Sequence, residues 1–166
     1  MLDTIINKTT PSNFYLTLPL IPGQRDINDN NELVLNIHQT VIPGISSEVQ
    51  ISNWQGAKVP FAAGSTTFTE WQFTFILDEN FLNWKILHNW ILIINNNKDK
   101  FLEYYNDYVV DSTLNVLDNF EKSIFSIKII NMWPTDLSPV ELSYREGENI
   151  LECNATFAYM YYEIQK

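Results

Sequence analysis

Positive charge, histidine, cysteine and glycine are all scarce in this chain, and each scarcity removes a class of function. Ten lysines and arginines stand against twenty aspartates and glutamates, for a net charge of −10. Tight binding to a phosphate backbone needs basic patches, so nucleic-acid recognition of that kind is excluded. An acidic wall past which DNA slides without sticking is not excluded. The only histidines are His38 and His88, and no cysteine accompanies them, so metal-ligand spacing is absent and no metal is expected. The single cysteine, Cys153, rules out an internal disulfide and reads as a small buried hydrophobe. With five glycines there is no Walker loop, no dinucleotide glycine pattern and no Gly-Xaa-Ser-Xaa-Gly elbow. No cofactor and no catalytic residue is therefore expected. No apolar run reaches about 18 residues, so no membrane-spanning helix is expected. The first residues show no basic region followed by a long apolar stretch, which predicts no secretory signal.

What is abundant is apolar and aromatic, 45% and 14% of the residues. That is enough for a core, and the length suits one domain. The chain is organised around Glu70–Asn95. Trp71, Phe73, Phe75 and Leu77 alternate with Gln72 and Thr74, the period of a half-buried strand. Asp78 suits a helix cap and Glu79 a first turn, which explains this carboxylate pair better than acid–base chemistry does. From Asn80 the period becomes helical. Phe81, Trp84, Leu87, Ile91 and Ile94 form one apolar row, and Leu82, Ile86, Trp90 and Ile93 form a second. Only Lys85, His88 and Asn89 make a polar face. A helix so apolar needs cover on more than one side. A neighbouring subunit is expected to supply part of it, over Leu82, Ile86 and Trp90.

Residues 1–12 read as an N-terminal arm, and residues 13–166 as a single domain. Asn13–Leu18 and Glu32–His38 read as strands, expected to pair as a hairpin across the turn Pro22-Gly23 and a polar loop. After the bend Val41–Ile45, the stretch Ser46–Gly64 reads as a long projecting hairpin turned by Asn53-Trp54-Gln55-Gly56. Trp54 near its tip is a candidate contact to a partner surface. Leu114–Leu117 and Ser123–Asn131 predict a further hairpin. Pro134 is expected to end that strand, because proline cannot donate to a ladder. Leu142–Tyr144 and Ile150–Tyr162 are expected to pair last. About seven strands and one helix predict a mainly β fold, a β-sandwich or barrel with one flanking α-helix.

The order of elements resembles the tail tube proteins of contractile-tailed bacteriophages. The segments that carry the resemblance are Val41-Ile-Pro-Gly-Ile45, Ala63-Gly64, the strand-to-helix passage Glu70–Glu79 with Asn89-Trp90, and the hairpin Leu114–Lys128. Asn131-Met-Trp-Pro-Thr135, Val140–Tyr144 and Glu148-Asn-Ile150 follow. The aromatic segment 95–112 and the N-terminal arm depart from that pattern. The resemblance implies a structural subunit of the virion, assembled in the host cytoplasm. It would form homo-hexameric rings stacked into a tube, with sheath and baseplate proteins as partners. DNA would pass through the lumen without specific binding.

The main tube is the expected role, with a baseplate tube initiator or an injection-system tube as the related alternative. A monomeric β-sandwich binding module is the alternative of another class. Eleven carboxylates against three cations between Glu103 and Glu163 predict a lumen wall that is neutral or negative. Strand alternation makes Glu152 and Asn154 the lumen candidates, with Thr156 on the same face.

Overall fold

The computed structural model describes residues 13–18, 36–95, 105, 108–143 and 150–165. Nine strands and one helix occur among them: β1 (Phe14–Thr17), β2 (Asn36–Thr40), β3 (Ile45–Trp54), β4 (Ala57–Phe68), β5 (Trp71–Ile76), α1 (Leu82–Asn95), β6 (Val110–Leu117), β7 (Ser123–Leu137), β8 (Glu152–Ala158) and β9 (Tyr161–Gln165). The arm expected over 1–12, the Pro22-Gly23 turn, most of the 95–112 segment and the turn at Arg145–Asn149 lie outside the described residues. The fold is mainly β with one helix, as the sequence predicted.

Seven strands form one antiparallel sheet in the order β1-β6-β7-β8-β5-β2, with β9 also on β7. The sheet is folded on itself through β7. Residues Ser126–Ile130 pair with β9 while the same half of β7 pairs with β6; residues Trp133–Leu137 pair with β8. The turning point is Asn131, whose φ of 52° is left-handed. Asparagine tolerates that region better than other non-glycine residues, and here it forms a bulge against β6, where the register shifts between Val110 and Ser112. Asp111, the β6 residue at the bulge, accepts the Asn131 N–H at 3.1 Å.

The two arms of the bent sheet share one core. Trp71, Phe73 and Phe75 of β5 meet Cys153, Ala155 and Phe157 of β8, Leu114 of β6 and Ile127, Ile129 and Met132 of β7. Leu87 and Trp90 of α1 complete the same cluster. The alternation in β5 explains this directly: its odd positions are all buried. The Phe73 and Phe157 rings stack with centroids 4.9 Å apart, one tie between neighbouring strands.

Three expectations about pairing are corrected. The first two strands are not a hairpin: β1 pairs with β6, and β2 pairs with β5. Pro134 does not end its strand. β7 runs on to Leu137, because Pro134 sits at a register shift against β8, where a missing N–H leaves no gap in the ladder. Leu142 belongs to no strand, and the final antiparallel ladders are those of β8 and β9 on β7.

Candidate assembly surfaces

The β3–β4 pair is a ribbon of its own, separate from the seven-stranded sheet. Its turn is Gln55-Gly56, with φ of 49° and 82°, the left-handed pair that a tight two-residue hairpin needs. At about 3.3 Å per residue the ribbon is roughly 35 Å long. The register divides its side chains into two faces. Val49, Ile51, Pro60 and Ala62 lie on one; Trp54, Val59 and Phe61 lie on the other with Gln50 and Ser52. Val49, Ile51, Trp54 and Phe61 are all exposed, Trp54 to 66%. A two-stranded hairpin that is apolar on both faces is marginal in water by itself.

The root of this ribbon is nonetheless held tightly. Pro43 is buried. The Gly44 N–H donates to Thr69 Oγ1 at 2.8 Å, and the Thr69 N–H donates back to the Gly44 carbonyl at 3.1 Å. The indole N–H of buried Trp71 donates to the Val41 carbonyl at 2.9 Å. The Tyr159 hydroxyl donates to the Thr69 carbonyl at 2.7 Å, and Phe68 packs edge-on to Tyr162. Burial, then the neighbouring Tyr162, push the Tyr159 phenol up to about 12. The result is an apolar projection on a fixed base.

Helix α1 is secured at its start by Asn83, a buried polar residue that sequence reasoning passed over. Its Nδ2 donates to the Ile76 carbonyl at 2.8 Å, and its Oδ1 accepts the Trp84 N–H at 2.9 Å. Asp78 caps as expected, its Oδ1 accepting the Leu82 N–H at 2.6 Å. Phe81 lies outside the helix with φ of 56°.

The expectation that a neighbour covers Trp90 is corrected. Trp90 is 1% exposed within one chain, packed on Phe157, with its indole N–H donated to the Tyr108 carbonyl at 2.8 Å. The reason is the bent sheet, which wraps more of the helix than a flat one would. Ile86 is half-buried against the core, and Trp84 stacks on His88. Leu82 remains outside at 44% exposure, on the same face as Lys85, Asn89 and exposed Leu92.

The outer side of the β2-β5-β8 arm is polar. Glu152 and Asn154 are exposed there while Cys153, Ala155 and Phe157 point into the core. Asn154 stands opposite Thr74 and accepts its hydroxyl hydrogen. Thr156 stands opposite Gln72 and, on β7, opposite Asp136. His38, at a register shift in β2, places Nε2 3.9 Å from Glu152 Oε1. Among the described residues the face thus carries carboxylates, amides and hydroxyls and no lysine or arginine. No group of three or more His, Cys, Asp or Glu able to hold a metal occurs among the described residues.

One further feature has only a faint sequence signal, an aromatic residue inside a polar turn. The β6–β7 turn, 118–122, presents Phe120 at 78% exposure. Asp118 Oδ1 accepts the N–H groups of Phe120 at 2.7 Å and Lys122 at 2.9 Å. Asn13 Nδ2, just before β1, braces the turn by donating to the Asp118 carbonyl at 2.9 Å.

Comparison with known proteins relates the whole chain to a family. A family model described as phage tail tube protein matches residues 9–165. The chain is 29% identical over 177 residues to the tail tube terminator protein of Enterobacteria phage T4, covering 99% of this chain and 93% of that protein. Among solved structures, it is similar to the sheath/tube terminator of the PVC extracellular contractile injection system, with a TM-score of 0.67 at 12% identity over 98% of this chain and 99% of the other. It is also similar to the tube-terminating cap of the anti-feeding prophage, with a TM-score of 0.65 at 12% identity over 100% and 99% of the two chains. At such low identities, the two structural likenesses speak for the fold.

Proposed function

The chain belongs to the phage tail tube protein family, and from that premise we propose that it forms the ring that terminates the tube of a contractile tail. The observation that carries this reading is the match to a tail tube terminator along nearly the whole of both chains. The solved sheath/tube terminator and tube-terminating cap share its fold. The role is narrower than the main tube subunit expected from sequence. Copies of the chain form a homo-hexameric ring that sits on the last tube ring, with sheath proteins outside and DNA passing through the lumen.

The geometry supports such a role in two ways. Strands β1, β2 and β9 are each paired on one edge only among the described residues, and open edges are satisfied by neighbours in an assembly. The ribbon supplies an apolar projection whose root is already ordered, so docking it costs little conformational entropy. Its Trp54 face reaches the adjacent tube ring. The outer face with Glu152 and Asn154, which has no lysine or arginine among the described residues, lines the lumen, where weak contact with phosphates lets DNA pass.

Electron microscopy of the purified protein, alone and with preassembled tubes of the cognate tube protein, tests the reading. A terminator gives single rings alone and caps on tube ends in the mixture. Long tubes from this chain alone would instead make it a main tube subunit, and a monomer that ignores tube ends would refute both. Trp54→Ser separates the ribbon's part: rings persist and capping is lost.

A further inference from the structure

We infer that the Phe120 turn of one copy docks on the Val49–Ile51 face of the ribbon of the next copy in the ring. This rests on the assembly of copies proposed above and names the contact that builds it. The turn is fixed by backbone N–H groups donating to the Asp118 carboxylate and by a hydrogen bond from Asn13, and Glu121 within it holds a left-handed φ of 61°. All this order still leaves Phe120 at 78% exposure. An aromatic ring held in water by a rigid turn has the character of an interface anchor, since little freedom remains to be lost on binding. Tyr15 and Ile124, both exposed, lie toward the same end of the β1-β6-β7 arm and add apolar surface there.

Charge selects the occupant. Two copies of a chain carrying −10 repel unless they meet over surfaces poor in carboxylates. From Ile45 to Phe68 the only charged residues are Glu48 and Lys58, which balance. In the turn, Asp118 and Glu121 against Lys122 leave one net negative charge, and the Asp118 carboxylate accepts two backbone N–H groups. The ribbon is neutral and the turn carries a single net negative charge, so both are exposed surfaces of low charge on an otherwise acidic molecule. The Trp54 side of the ribbon carries Gln50 and Ser52 between its apolar groups, whereas Val49, Ile51, Pro60 and Ala62 form a contiguous aliphatic patch, with Asn53 and Lys58 beyond it toward the tip, the better seat for a phenyl ring beside a negative turn.

Within one copy the two surfaces do not cover each other, since Phe120, Val49 and Ile51 all stay exposed. The base is tied to Tyr162, opposite Ile129, about 20 Å along β7 from the turn. A knob and a seat on different parts of one chain make a heterologous contact, the kind that closes into rings.

The test uses Cys153→Ala chains carrying either Phe120→Cys or Ile51→Cys, mixed and oxidised under conditions where the wild-type chain forms rings. A disulfide-linked dimer in the mixture, and in neither chain alone, is the expected result. Phe120→Ser should weaken ring formation at least tenfold with no change in the melting of the dispersed subunit. Wild-type rings without the mixed crosslink would overturn this contact and leave the terminator reading intact. So would Phe120→Ser rings that form normally but fail to cap, which would assign the turn to the tube. A wild-type chain that makes no rings would remove the terminator reading and this contact together.

Discussion

The carboxylate of Asp111 holds the backbone of Asn131 where β7 leaves one arm of the sheet for the other. It accepts the Asn131 N–H at 3.1 Å and pairs with Lys128 at 3.0 Å. Partial burial raises its affinity for a proton, but the Asn131 N–H and Lys128 outweigh that and leave the carboxyl below its ordinary value. Its stabilising effect is therefore complete above the unfolded-state value of about 4 and declines as pH falls through the folded value. Asp111→Ala should cost about 1 kcal/mol at neutral pH, a modest figure because the pair is partly solvated. The gap to wild type should narrow below about pH 4 in denaturant titrations. A gap unchanged down to strong acid would mean that the charge contributes nothing to the bend.

Trp90 acts within its own subunit. Trp90→Ala should destabilise the dispersed monomer by about 3–5 kcal/mol, the cost of a large core cavity. Trp90→Phe should lose less, about 1–3 kcal/mol, mainly by orphaning the Tyr108 carbonyl. Calorimetry under conditions without rings reads both. Normal monomer stability for Trp90→Ala, with only assembly lost, would return the residue to an interface.

Tyr159 should make the ribbon root sensitive to alkali. Its phenol is raised to about 12, so the folded state keeps a proton that the unfolded state releases from about 10. The stability tied to that proton is complete below the unfolded value and is lost as pH rises through the folded one. Tyr159→Phe should cost about 1 kcal/mol by removing the bond to the Thr69 carbonyl. It should also flatten the fall in stability between about pH 10 and about pH 12. Amide exchange at Gly44 and Thr69 should quicken in the variant, and unchanged exchange there would refute a clamping role.

Glu152 tests the lumen. Glu152→Lys should leave subunit stability within about 0.5 kcal/mol, since the residue is exposed. In assembled tails it should slow genome delivery, because each added cation binds phosphate and displaces counterions. Delivery at the wild-type rate from intact tails would place Glu152 away from the DNA path.

Local pattern, readable from sequence alone, determined the pieces. The alternation Trp71–Phe73–Phe75 made β5 and its buried face legible, and Asn53–Gly56 between apolar runs made the ribbon legible. Glu152 and Asn154 were placed correctly on the exposed side of β8, because period two needs no knowledge of neighbours. The resemblance carried by these segments reached the tail tube family. Pairing was another matter. β1 meets β6, nearly a hundred residues away, and β2 meets β5, because the core they cover is assembled from the whole chain. Pro134 stayed inside its strand because a register shift that only the partner strand defines removed the need for its N–H. Trp90 passed from expected interface to core because the bend at Asn131 wraps the sheet around the helix. A wheel of apolar positions counts the surfaces that need cover, and only the packed chain decides which of them it covers itself.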